Sequence, residues 1–253
     1  MKTSTLTMVA AGLATALSFG VPAQAAETNV AVAANFTEAV KEIADAFAKS
    51  TGDTAKLSFG SSGQLYTQIT QGAPFQVFLS ADDVRPKKAI TEGFGVEGTD
   101  FTYAIGKLVL WSPDAERVKG EETLKSGGFD KIAIANPTAA PYGAAAVETM
   151  KKLGVYDALK AKIVEGNNIS QAFQFVDSKN AELGFVALSQ IAGREDGSQW
   201  LVPQEDYTPI RQDAVLLKTG ADNEAAKAFI EFLKGPEARK IIEKYGYAVD
   251  GAQ

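Results

Sequence analysis

Four short uncharged corners, each at the expected junction of a strand and a helix, hold the residues best suited to chemistry. They centre on Ala34-Asn35, Ser61-Ser62, Tyr142-Gly143 and Asn168-Ile169. Such a corner directs unpaired backbone N–H groups, and the positive end of a helix dipole, past the end of its strand. That geometry suits an anion. The alternative is that each corner is an ordinary helix cap.

Residue types that the chain lacks exclude several kinds of chemistry. The 253 residues include neither cysteine nor histidine. This composition excludes thiol nucleophiles, Ser-His-Asp triads, imidazole bases and Cys/His zinc sites. Catalysis by carboxylates or lysine stays open. The formal charge of -6 gives no basic surface for nucleic acid or an anionic membrane.

Residues 1–25 are expected to be a secretory signal peptide. Lys2 precedes an apolar run over residues 8–21, and the small-residue site Ala23-Gln24-Ala25 follows. The pattern is typical of a cleaved leader and is too short for a membrane anchor. We therefore expect an exported, periplasmic and monomeric protein that begins near Ala26 and is not inserted in the membrane.

Hydrophobic spacing predicts the elements that position the corners. Phe36, Ile43 and Phe47 recur on one helical face, which predicts a helix with Asn35 as its N-cap and Gly52 at its end. Similar helices follow the other three corners. Strands that alternate with helices in this way predict an α/β fold, in which helices cover both faces of parallel sheets.

Two lobes are expected, each a mainly parallel sheet flanked by helices. The apolar run Phe101–Trp111 predicts one long strand. The chain is expected to cross between lobes near Tyr103-Ala104 and again near Thr208-Pro209. One lobe then comprises residues 26–104 and 209–253, and the other comprises residues 105–208. The carboxyl ends of the strands face a shared ligand cleft, where all four corners converge.

Six stretches of the sequence, taken together, form a recognisable pattern: VAVAANFTEAVKEIADAF, FGSSGQL, GAPFQVFLSAD, IANPTAAPYG, ISQAFQFV and ELGFVALS. In this order they resemble the periplasmic molybdate-binding proteins of ABC transporters. The resemblance implies a type II periplasmic-binding fold that captures molybdate, and usually tungstate, for a membrane permease without a cofactor. By matching motif, Asn35 falls where a hydroxyl or amide residue binds the oxyanion. Ser62 falls where a serine uses side chain and backbone, and Ile169 where a backbone N–H contributes.

Two positions depart from one common version of this family's pattern. That version has a tyrosine whose hydroxyl reaches the anion after the strand in ELGFVALS, where this chain has Ala187. Tyr142, by contrast, stands where that version has a small residue. Our hypothesis is that Tyr142 supplies the hydroxyl from a neighbouring helix. Ala34 and Ala187 are weaker candidates for contact with the anion.

Three rival functions stay open at the level of sequence. A receptor for sulfate, phosphate or another tetrahedral oxyanion would use the same uncharged donors. An exported enzyme on the same architecture would need two facing carboxylates or an activated nucleophile in the cleft, and the corners contain neither. A sensor that signals to a membrane partner without transport would share every ligand contact. The adjacent carboxylates Asp82-Asp83 suggest helix-start residues rather than a metal pair.

Overall fold

The structure is a computed structural model that describes residues 25–249. Residues 1–24 of the predicted signal peptide therefore lie outside the described residues. Among residues 25–249, none of the helices combines the length and the apolar character that a membrane span requires.

Strands and helices alternate along most of the described chain. The strands are β1 Glu27–Ala33, β2 Thr54–Gly60, β3 Val77–Leu79, β4 Phe101–Gly106, β5 Leu108–Ser112, β6 Ile132–Ala135, β7 Ile163–Gly166, β8 Leu183–Ala187, β9 Ser198–Leu201 and β10 Ile210–Leu216. The α-helices are α1 Thr37–Thr51, α2 Ser62–Thr70, α3 Val84–Thr91, α4 Glu122–Ser126, α5 Pro141–Lys152, α6 Tyr156–Leu159, α7 Ile169–Asp177, α8 Glu224–Lys234 and α9 Pro236–Lys244.

The strands form two five-stranded sheets, in the orders β2-β1-β3-β10-β4 and β7-β6-β8-β5-β9. In each sheet four strands point the same way and one runs against them. The reversed strand is β10 in the first sheet and β5 in the second. The predicted α/β architecture with two mainly parallel sheets is confirmed, and the antiparallel pairings of the reversed strands make both sheets mixed.

The first helix ends as predicted but begins differently. Gly52 closes α1 with a left-handed φ of 82°, a conformation that glycine adopts without steric cost. The prediction that Asn35 is the N-cap is wrong, because Ala34–Phe36 form a 3-10 turn and α1 starts at Thr37. The side chain of Asn35 instead makes buried hydrogen bonds with residues that are distant in sequence. Thr37 Oγ1 donates to Ala34 O at 2.8 Å.

The predicted long strand Phe101–Trp111 is in fact two strands. β4 ends at Gly106 and β5 begins at Leu108, and the two lie in different sheets. The single residue Lys107 therefore carries the chain from one sheet to the other. The chain returns between β9 and β10. The lobe limits at 104/105 and 208/209 stay a prediction.

Aromatic pairs help to pack the helices of both lobes. In the first lobe Phe47 of α1 packs edge-on against Phe229 of α8, with ring centroids 5.3 Å apart. In the second lobe Trp111 of β5 stacks on Phe173 of α7 at 5.4 Å. Such pairs add packing energy beyond their buried area. They join α1 to α8 in the first lobe and α7 to β5 in the second.

Candidate functional site

Two corners of the first lobe are brought side by side by the pairing of their strands. β1 and β2 run parallel, with Ala33 opposite Gly60. The 3-10 turn at Ala34–Phe36 follows β1, and α2 begins at Ser62 just after β2. Ala34, Asn35 and Ser62 are 4%, 4% and 1% exposed. These candidates therefore share one buried edge of the sheet.

The second lobe repeats this arrangement. β6 and β7 run parallel, with Ala135 opposite Gly166, and the helices that follow them are α5 and α7. Tyr142 is the second residue of α5, after Pro141, and Ile169 is the first residue of α7. Backbone N–H groups in a first helical turn have no acceptor within the helix. The backbone N–H groups of Tyr142 and Ile169 can therefore face a ligand.

Hydrogen bonds between the lobes close the cleft over these four corners. Gly63 N, in the first turn of α2, donates to Ala139 O just before α5 at 2.9 Å. Ser170 Oγ, in the first turn of α7, donates to Ala34 O at 3.2 Å. The helix starts of both lobes thus converge, as the sequence predicts. A cavity of about 380 Å³ beside them is lined by residues of both lobes, among them Ala34, Asn35, Glu38, Phe59, Asn168 and Ser189.

Ser62 is oriented so that its hydroxyl can donate. Its Oγ accepts a hydrogen bond from Ala81 N at 2.9 Å, which leaves the hydroxyl hydrogen available, because a serine hydroxyl has one donor and two acceptor positions. The N-cap of α2 is the preceding residue, Ser61, which forms a capping box with Gln64. Capping and the candidate ligand contact are therefore assigned to two adjacent serines.

Asn35 presents its backbone rather than its amide. Its Nδ2 donates to Gln212 Oε1 at 2.8 Å and to Tyr247 OH at 3.0 Å, which uses both amide hydrogens. Its carbonyl oxygen accepts from Ser189 Oγ of the second lobe at 2.9 Å. The remaining side-chain oxygen is an acceptor and would repel an oxyanion. The backbone N–H is the group of Asn35 that suits an anion.

The Tyr142 hydroxyl lies at the junction of the two lobes. It accepts from Gln212 Nε2 of the first lobe at 3.3 Å, which leaves its own hydrogen free to donate. A Cβ atom at position 106 would lie 2.1 Å from the hydroxyl oxygen, so Gly106 is required for this close approach. Burial raises the pKa of Tyr142 well above its usual range. The hydroxyl therefore stays protonated and neutral.

Of the six candidate residues, Ala187 has the fewest groups that could donate a hydrogen bond to an anion. It ends β8 opposite Leu108, its methyl group carries no donor, and its N–H donates to Gln190 Oε1 at 3.0 Å. Ala34 contributes its carbonyl to the contact with Ser170 across the cleft. Among residues 25–249, no group of acidic side chains is arranged to hold a metal ion.

The site contains polar residues that sequence analysis missed. Gln212, Tyr103 and Tyr247 are buried around Asn35 and Tyr142, and Ser189 reaches across from the second lobe. One signal for Gln212 was present, because a polar pair, Gln212-Asp213, interrupts the apolar run of β10. Burial raises the pKa of Tyr103 and Tyr247 as it does that of Tyr142. The whole cluster is therefore uncharged.

The chain is similar to known extracellular binding proteins. Residues 28–248 match the family described as Bacterial extracellular solute-binding protein. The molybdate-binding protein ModA of Rhodobacter capsulatus is 57% identical over 97% of this chain and 98% of its own length. That of Azotobacter vinelandii is 54% identical over 90% and 92%.

A solved structure agrees at the level of the fold. The periplasmic molybdate-binding protein of Azotobacter vinelandii superposes with a TM-score of 0.85 at 44% identity, covering 88% of this chain and 99% of that one. The chain belongs to the bacterial extracellular solute-binding protein family, within the group of periplasmic molybdate-binding proteins.

Proposed function

We propose that this protein captures molybdate, and tungstate with it, outside the cytoplasm and delivers it to the membrane permease of an ABC importer. The observation that carries the proposal is that uncharged corners of the two lobes meet in pairs, through the hydrogen bonds of Gly63 with Ala139 and of Ser170 with Ala34. The identity of 57% with a molybdate-binding protein favours molybdate over other tetrahedral anions.

The oxyanion is held by donors alone in this proposal. Ser62 donates through its hydroxyl and its N–H, and the backbone N–H groups of Asn35, Tyr142 and Ile169 complete the set. The Tyr142 hydroxyl hydrogen is a further donor. Hydrogen bonds to a charged acceptor are roughly twice as strong as neutral ones, so several of them replace the lost hydration without a cation. A ring of donors also rejects a protonated anion, whose own hydrogen would meet a donor.

Capture proceeds by hinge closure between the proposed lobes 26–104 with 209–253 and 105–208. The anion binds first to one lobe and is then enclosed when Gly63 meets Ala139 and Ser170 meets Ala34. A leader of 25 residues would export the chain to the periplasm, where the closed form is presented to the permease. The site binds its ligand without chemical change, because its candidate residues supply neither a nucleophile nor a general base.

Small-angle scattering combined with ligand recovery tests this proposal. The mature protein, stripped of ligand, should contract when molybdate is added, and denaturation should return the molybdate unchanged in a one-to-one ratio. Contraction with sulfate or phosphate alone would keep the two-lobe receptor but assign it another anion. Recovery of a chemically altered compound would favour an exported enzyme instead.

A further inference from the structure

We propose that Gln212 is a positioning residue that ties the two lobes together behind the oxyanion site and so slows ligand release, although its amide does not bind the ligand. The inference rests on the proposed function, because it concerns how the closed receptor is held. It assigns to the first lobe's reversed strand a part in ligand retention.

Gln212 lies on β10, directly after the chain returns to the first sheet. It is opposite Ala104 of β4, and the register of the two strands shifts between Gln212 and Asp213. Such irregularities turn a side chain away from its regular direction and recur next to functional sites. The side chain of Gln212 is completely buried, so each of its polar atoms needs a partner inside the protein.

Those partners come from both lobes. Gln212 Oε1 accepts from Asn35 Nδ2 of the first lobe at 2.8 Å, and the hydroxyl of Tyr103 lies 3.1 Å from the same oxygen. Gln212 Nε2 donates to the hydroxyl of Tyr142, from the second lobe, at 3.3 Å. One amide group therefore joins the corner after β1 to the start of α5. These two corners provide ligand contacts in the proposed function.

The backbone at the crossing point is shaped for this junction. A Cβ atom at position 106 would lie 2.1 Å from the Tyr142 hydroxyl and 2.8 Å from Gln212 Nε2. Gly106 is the last residue of β4 before the chain crosses to the second lobe. A larger residue at position 106 would therefore fill the space that the hydrogen bond between Gln212 and Tyr142 occupies. This hydrogen bond lies at the hinge.

Opening of the lobes would separate Tyr142 from Gln212. The buried amide of Gln212 and the buried hydroxyl of Tyr142 would then lose their mutual hydrogen bond, and each would need water as a new partner. The bond therefore stabilises the closed form relative to the open form, and its loss should appear mainly in the dissociation rate. A glutamine with a merely structural role would instead affect unfolding of the ligand-free protein and leave ligand release unchanged.

Stopped-flow and calorimetric measurements with molybdate on the mature protein test this role. Gln212→Met keeps the length and volume of the side chain but removes its hydrogen bonds. We expect a dissociation rate about tenfold higher than that of wild type, with a smaller change in the association rate. Gln204→Met is the matched control, because Gln204 bonds to Tyr207 within the second lobe, and it should release molybdate at the wild-type rate.

A double-mutant cycle separates a direct bond from two independent roles. Tyr142→Phe removes the same interlobe bond together with the proposed hydroxyl contact to the anion. Because the interlobe bond can be lost only once, Gln212→Met combined with Tyr142→Phe should be less impaired than the product of the single effects. Gly106→Ala provides a second variant if Gln212→Met does not fold, and it should also accelerate release by displacing Tyr142. The inference about Gln212 would be overturned, and the proposed function kept, if Gln212→Met or Gly106→Ala released molybdate at the wild-type rate. Strictly multiplicative effects of Gln212→Met and Tyr142→Phe on the dissociation rate would have the same consequence. A wild-type protein that binds no molybdate would overturn the proposed function as well.

Discussion

Replacing Ser62 by alanine removes one hydroxyl from the proposed oxyanion site with little change to the helix around it. Ser62 is the first residue of α2, and the helix is capped by Ser61 rather than by Ser62. Alanine has the highest helix propensity, so α2 should keep its start. The substitution removes the hydrogen bond that Ser62 Oγ accepts from Ala81 N and, in the proposed complex, the one that Ser62 donates to the anion.

These two losses have different consequences. A hydrogen bond to a charged group contributes about 1.5–3 kcal/mol, so the loss at the anion should raise the Kd for molybdate about 10- to 150-fold. The unpaired N–H of Ala81 costs about 1–3 kcal/mol. It is unpaired in the ligand-free and ligand-bound protein alike. That loss should therefore lower the free energy of unfolding and largely cancel from the Kd.

Isothermal titration calorimetry of wild type, Ser62→Ala and Ser61→Ala measures the difference directly. Ser61→Ala removes the N-cap and should lower the stability by about 1 kcal/mol, with a Kd within about threefold of wild type. The reasoning is refuted if Ser62→Ala binds molybdate as tightly as wild type, or if the two variants weaken binding equally.

Four further predictions concern closure and pH. Gly63→Ala should raise the Kd about tenfold, because the new Cβ would lie 3.0 Å from Ala139 Cα across the cleft. The melting temperature of the ligand-free protein should be unchanged or higher. Calorimetry with and without ligand measures both quantities. Arg85→Met removes a donor to a second-lobe carbonyl and should speed release about three- to tenfold, whereas Lys87→Met, whose lysine pairs within the first lobe, should not; stopped-flow fluorescence decides. The Kd should be constant between about pH 6 and 9, because burial raises the pKa of Tyr142, and a titration step in that range would contradict an uncharged site. The same raised pKa means that stability is full below about pH 10 and falls above it, where tyrosines of the unfolded chain ionise.

Local signals were sufficient to predict the corners of the site. The start of a helix depends on a few adjacent residues, and three of the four predicted corners lie at the starts of α2, α5 and α7. Asn168 Oδ1 accepts from Gln171 N at 3.0 Å, and Gly52 ends α1 as expected. The alternation of strands and helices likewise predicted the α/β class.

Contacts between distant parts of the chain could not be predicted in this way. The partners of the Asn35 amide, Gln212 and Tyr247, are 177 and 212 residues away in sequence. No local pattern distinguishes an asparagine that caps a helix from one that such partners engage. The break at Lys107 was missed for the same reason, because Gly106 is required by the approach of Tyr142 from the other lobe.

Calorimetric titration of the ligand-stripped mature protein with molybdate, tungstate, sulfate and phosphate in turn tests the central claim most directly. The uncharged donor set predicts one-to-one binding of a tetrahedral oxyanion, and the 57% identity with a molybdate-binding protein predicts that molybdate and tungstate bind tightly, with little or no heat from sulfate and phosphate. Binding of sulfate or phosphate in preference would contradict the assignment of the ligand. Absence of heat with all four anions would contradict the oxyanion site itself and leave the four corners as ordinary helix starts.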